Sequence, residues 1–318
     1  MAPTPLTAAC PPAPELALTI ARLALALFAI QAGFHGYTAS LPLALSRAGV
    51  DDPQIGLIMG TAALVQVPAS LFGGRLVDRY GGIRLFTFGA LVYLFATAII
   101  ILPGVEPGGP AWPFFAARIL QGIGIAATLP AALSLVPRMV PRERHGIGLA
   151  FVGSAHNLTL VVLPSLSIIV LNASSLHGVG ILVTVFVAAG LVLSRRLPLR
   201  PVIGDASDDA KGAASHRFGI TFRRAWAIPL AVILTYVAHW GVVTAYLPTR
   251  AEAFGADIGL FFAADGVAIF LMRIPTGWFA DRVQTRWLVL VGAGATMLGM
   301  GLLLPPPTTP ILVVAGFL

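Results

Sequence analysis

The feature that most limits what this chain can fold into is the length of its uncharged runs. Residues 23–46, 53–74, 85–105, 145–194, 225–249 and 287–318 hold no Asp, Glu, Lys or Arg. Two more segments, 107–137 and 258–280, reach similar length around isolated charges. A hydrocarbon core of ~30 Å is crossed by about 20 apolar residues in a helix. Lipid offers the backbone no hydrogen-bond partner, so a spanning segment must satisfy its own amides. Only 10% of the chain is charged, 57% is apolar, and the mean hydropathy is +0.89. Soluble domains carry about a quarter charged residues. The sequence is that of a multi-span helical membrane protein.

The spans predicted from these runs are 17–43, 55–76, 84–104, 111–135, two within 145–194, then 225–248, 256–279 and 287–304. The run 145–194 is too long for one crossing and is broken by Asn172, Ser174, Ser175, His177 and Gly178. PPPTTP at 305–310 forces a turn, and ILVVAGFL at 311–318 begins a tenth helix too short to cross. About nine full spans plus the start of a tenth are therefore expected, in a chain cut off inside that helix. The division that follows is a disordered cytoplasmic tail at 1–16, a six-helix bundle at 17–194, a polar cytoplasmic linker at 195–224, and an incomplete second bundle at 225–318.

The net charge of +7 is distributed as a topology signal and not as a nucleic-acid surface. Arg75, Arg79, Arg84, Arg138, Arg142, Arg144, seven residues between 195 and 224, Arg282 and Arg286 follow alternate spans, whereas the opposite loops hold Arg47 and Arg250. The positive-inside rule places the basic set and the N-terminus in the cytoplasm of a bacterial-type inner cell membrane. Cys10 is the one cysteine, so no intramolecular disulfide can form. The first sixteen residues lack the basic and apolar regions of a cleavable signal.

The two halves repeat. TASLP (38–42), IGL (55–57) and GRLVDR (74–79) are followed by TAYLP (244–248), IGL (258–260) and GWFADR (277–282), the last two pairs at a common offset of 203. Parallel repeats of six spans are a transporter plan. GGRLVDRYGG at 73–82 resembles the signature loop of the major facilitator superfamily between its second and third helices, and RILQGIGIA at 118–126 resembles that family's motif in helix 4. The chain differs from the family pattern in two places: Gly82 and Ile83 separate Gly81 from Arg84, and span 5 reads VLPSLS (162–167) where many proton-driven exporters carry a Gly-Pro pair.

The resemblance implies a pseudo-symmetric six-plus-six bundle working by alternating access. It implies a cytoplasmic latch at Gly74, Asp78, Arg79, Gly81 and Arg84, repeated at Gly277, Asp281 and Arg282. The first loop would meet helix 11 and the second the start of span 5 near Arg144. Topology signal plus tight turn is the plainer reading of the same residues.

Charges inside spans cost roughly 2.5–3.5 kcal/mol on insertion scales and so default to functional candidates. Counting along each helix puts Arg118, Asp265, His35 and His239 in one layer of the outer half of the membrane. In the family, helices 1, 4 and 7 line the cavity, which would gather His35, Arg118 and His239. Arg118 matches the family's helix 4 arginine, with a structural ion pair as the competing role. Asp265 is a candidate protonation site or a wetted residue near the outer end. His156 and Asn157 sit mid-span 5, where Asp265 or Arg273 would approach them, and Arg273 is placed to snorkel toward the cytoplasm or to pair with a carboxylate. Gln121 belongs to the same motif, and Gly122 and Gly124 read as sites of close helix packing.

The expected function is a secondary transporter of a small solute, coupled to H⁺, acting as a monomer in the bilayer. The alternative is a transport-inactive fragment or a non-transporting membrane interaction protein. No H-E-x-x-H, Gly-rich phosphate loop or Ser–His–Asp spacing suggests an enzyme, and no cofactor or metal is expected.

Overall fold

The computed structural model describes residues 13–140, 145–195, 197, 227–280 and 282–318. Among these residues every regular element is an α-helix. They are α1 (Ala13–His35), α2 (Ser40–Arg47), α3 (Asp52–Tyr80), α4 (Gly82–Ile100), α5 (Trp112–Met139), α6 (His145–Ala173), α7 (Leu176–Arg195), α8 (Ala227–Ala253), α9 (Ile258–Ala280), α10 (Thr285–Leu302) and α11 (Thr309–Phe317). Six segments of the described chain are long and apolar enough to cross a membrane: α1 with α2 from Ala17 to Arg47, then α3, α4, α5, α6 and α7. Ile258–Met272 and Arg286–Leu302 are shorter apolar stretches. Leu64, Phe95, Ile169 and Phe270 are among many large apolar side chains left exposed, as a lipid-facing surface requires.

The first span is not the continuous helix expected. It breaks between His35 and Ser40, where Tyr37 N–H bonds Phe34 O at 3.3 Å and Thr38 N–H bonds His35 O at 3.2 Å, a tighter i−3 pattern. Pro42 withholds the N–H that would continue the ladder onto Thr38. Ser40 Oγ donates to Gly36 O at 2.8 Å, so that carbonyl stays satisfied at membrane depth. Gly36 itself lies against Val183 of α7, where a Cβ would clash.

Other boundaries shift as well. GGRLVDRYGG is mostly helical: α3 runs on to Tyr80 and the chain turns at Gly81, whose φ of 84° is left-handed and suits glycine. The helix expected to stop at 248 continues through Pro248 to Ala253, so Arg250 and Glu252 sit on α8. Residues 174–175 make the break between α6 and α7 inside the long run.

α1 to α7 form one packed body with α5 at its centre, against α1, α3, α4 and α6. Close approach there depends on small residues. A Cβ on Gly122 would strike the Ala62 carbonyl of α3, and one on Gly124 the Tyr93 ring of α4. Pro130 cannot bond Ala126 O, and Gly73 of α3 sits against that freed carbonyl. The second half meets the first where α6 packs on α9 and where α2 and α3 meet α8.

Candidate functional site

Arg118 is the best-defined candidate. It lies within α5, 4% exposed, and a charge buried inside a span is costly. One NH2 group donates to Gln121 Oε1 at 2.8 Å, a turn along the same helix, and the other to Met59 O of α3 at 3.0 Å. The guanidinium carbon stands 5.1 Å from the centre of the Phe34 ring, a cation–π distance. No carboxylate of a described residue pairs with it; the ion pair among those residues is Arg47 with Glu252. Its Nε, Gln121 Nε2 and both nitrogens of His35 are buried without a hydrogen-bond partner among the described residues.

His35 stands at the α1 break, 5.4 Å from the His156 ring of α6 by ring centres. Behind this pair runs a polar network that the sequence did not single out. Gln31 Oε1 accepts from Tyr93 Oη at 3.1 Å, and Thr128 Oγ1 lies equally near it. Gln31 Nε2 is 2.9 Å from His156 Nδ1. Since Gln31 Oε1 receives the Tyr93 hydroxyl, the amide nitrogen is the donor and His156 Nδ1 the acceptor, which leaves its Nε2 as the N–H of a neutral ring. Gln31, Tyr93 and Thr128 are all fully buried. A glutamine in the middle of the run 23–46 was the available signal, because a polar side chain at that depth needs partners.

The expected layer thus divides between two places. His35, Arg118, Gln121 and His156 gather inside the first body. His239 and Asp265 line a separate cleft of about 230 Å³ with Tyr236, Trp240 and Thr296, between α8, α9, α10 and α11. There His239 Nδ1 and Asp265 Oδ2 find no hydrogen-bond partner among the described residues. His156 meets Gln31 and His35, and Asn157 next to it is half-buried. The side chain of Arg273 lies outside the described residues.

Of the latch residues, Gly74, Asp78, Arg79 and Arg84 are exposed, and Arg79 lies over the neighbouring Tyr80 ring at 5.3 Å. Gly277 falls within α9 and Arg282 just beyond it. Asp281 and Arg144 lie outside the described residues, as does nearly all of the 195–224 linker. At the opposite end, Arg47 Nε donates to Glu252 Oε1 at 2.6 Å and its NH2 group to Asn172 Oδ1 at 2.8 Å, tying α2, α8 and α6 together.

A family model described as Major Facilitator Superfamily matches residues 23–318. The chain is similar to the gentisate transporter of Corynebacterium glutamicum, 23% identical over 274 residues that make up 82% of this chain and 60% of that protein. It is also similar to the probable actinorhodin transporter of Streptomyces coelicolor, 28% identical over 291 residues, covering 77% of this chain and 48% of that one. The chain therefore spans between about half and three fifths of the length of these relatives. Among solved structures, the D-xylose-proton symporter superposes with a TM-score of 0.67 at 16% identity, over 95% of this chain and 80% of that one, a likeness of fold.

Proposed function

The chain belongs to the Major Facilitator Superfamily, and on that premise we propose that it is a secondary transporter moving a small solute by alternating access, coupled to H⁺. In this reading the protein is a multi-pass cell-membrane monomer with its N-terminus in the cytoplasm. Helices α8, α9 and α10 complete nine crossings, and the two halves rock against each other around a midplane site.

The observation that carries the proposal is Arg118: a buried guanidinium facing Gln121, Phe34 and His35, with no carboxylate of a described residue to neutralise it. A fold maintained for packing alone gains little from a charge of this kind, because its burial costs several kcal/mol on the order given by insertion scales. Arg118, His35 and the separate Asp265–His239 pair are the coupling groups we assign. Gly74, Asp78, Arg79, Gly81, Arg84, Gly277, Asp281, Arg282 and Arg144 form the cytoplasmic latch.

The test is flux into liposomes containing the 318-residue chain, with radiolabelled D-xylose, dialanine and gentisate as probes of different charge. At least one should accumulate when a pH gradient is imposed and not without it. Arg118→Ala should abolish that accumulation while the variant still inserts. Accumulation of no probe, or flux indifferent to the gradient, would overturn the reading.

A further inference from the structure

We propose that the Arg118 cluster is a binding site for a small organic monocarboxylate. This rests on the transporter reading above but is set by hydrogen-bond chemistry at one place. Around the guanidinium most of the unused groups are donors. Arg118 has spent one NH2 hydrogen on Gln121 and one on Met59, which leaves Nε–H facing no acceptor. Gln121 has given its oxygen to Arg118, so what remains is its amide NH2, also buried and unmatched. His35, whose ring centre stands 5.2 Å from that of the Phe34 ring over which Arg118 lies, contributes a further unmatched N–H and one unmatched acceptor nitrogen. Gln31 holds the neighbouring acceptor, Oε1, which Tyr93 already engages, and its amide nitrogen is spent on His156.

A positive charge whose free donors outnumber the one free imidazole nitrogen has a specific chemical complement: a planar anion with several lone pairs. A carboxylate meets the guanidinium in that geometry with paired charge-assisted bonds. A neutral amide brings one acceptor and adds donors, and an ammonium brings only donors. The guanidinium lies over the Phe34 ring, which covers it on that side. Phe34 is next to the α1 break, so a shift of the turn at 36–39 would uncover it. The same ring supplies an apolar wall for the organic part of the ligand.

Gln121 provides a variant that separates binding from folding. Gln121→Glu places a carboxylate on the oxygen that already sits 2.8 Å from Arg118, so the guanidinium gains an internal anion. The fold should hold or gain stability, and the external anion should be excluded.

The experiment is thermal unfolding of the purified chain in detergent, without any gradient, in the presence of acetate, lactate or benzoate, with benzamide and benzylamine as neutral and cationic matches to benzoate. At least one monocarboxylate should raise the midpoint in a concentration-dependent way, and benzamide and benzylamine should not. Arg118→Gln and Gln121→Glu should weaken that binding by about tenfold or more, the loss expected for a charge-assisted contact. The proposal is overturned if none of the three acids stabilises the chain, if benzamide or benzylamine matches benzoate, or if Gln121→Glu binds as the native chain does. Gradient-driven xylose flux with no carboxylate binding would remove this inference and leave the transporter reading; carboxylate binding without flux would do the reverse.

Discussion

Gln31 shows how a single side chain can organise a membrane interior. Its amide is the junction that satisfies Tyr93 and His156 and lies within 3.1 Å of the Thr128 hydroxyl, on three other helices. Replacement by leucine keeps the volume but strands the Tyr93 hydroxyl and an imidazole nitrogen, while Thr128 keeps Gly124 O at 2.9 Å. Interhelical hydrogen bonds in bilayers average about 0.6 and reach about 1.7 kcal/mol. Gln31→Leu should therefore destabilise by roughly 1–3 kcal/mol, and Tyr93→Phe, which removes one donor, by less. Unfolding midpoints in detergent check this, and a larger drop for Tyr93→Phe would show that Gln31 is not the hub. Arg118 was legible from the sequence because a charge in an apolar run is conspicuous. Gln31, Tyr93 and Thr128 were not, since their significance lies in meeting across four helices, and sequence distance carries no record of that. The separation of His239 from His35 was hidden for the same reason: depth along a helix can be counted, but the direction a side chain faces depends on packing.

At the scale of elements, long apolar runs announce the helices, and small residues decide how near they come. Gly122 is the clearest case, because the Cβ it lacks would meet the Ala62 backbone oxygen, which cannot swing aside as a side-chain tip can. The second half repeats the device, with Gly316 of α11 against the Phe261 carbonyl of α9. Gly122→Val should cost about 1–3 kcal/mol through overpacking. Gly60 on α3, with nothing near its missing Cβ, should accept alanine without loss. Equal midpoints for the two variants would contradict the packing account. The break at 36–39 was the element that periodicity concealed. HGYTASLP has no charge and stays apolar enough to read as one helix, so hydropathy passes over it. Gly36 and Pro42 mark the ends of the interruption, and Val183 and Ser40 hold it in place.

At the scale of the whole molecule, several side chains join the two halves at the end away from the arginine-rich loops. Arg47 bridges Glu252 and Asn172, Tyr246 rests its hydroxyl against Gly56, and Ser165 Oγ donates to Gly259 O at 2.9 Å. In the proposed alternating-access cycle this end opens, and the Arg47–Glu252 pair then breaks. Both side chains are 38% exposed, so water and salt screen the attraction, and such pairs contribute about 0–1 kcal/mol. A contribution of that size tilts an equilibrium between two facing states by up to about fivefold and does not lock it. Glu252→Arg, which replaces attraction with repulsion, should favour the opposite-facing state. A cysteine placed at Ser165, in a chain carrying Cys10→Ser, should then react several times faster with an impermeant maleimide. Adding Arg47→Glu restores opposite charges in exchanged positions and should return the rate toward its starting value, since a screened ion pair is nearly indifferent to which side bears which sign. Asn172 makes one difference on exchange, because its carbonyl oxygen now receives from Arg47; facing a glutamate, the amide must rotate to present its NH2 instead. Recovery that is large but incomplete is therefore the expected result. Unchanged labelling in Glu252→Arg would mean that the apolar contacts of α6 with α9 hold this end closed without help from the charges.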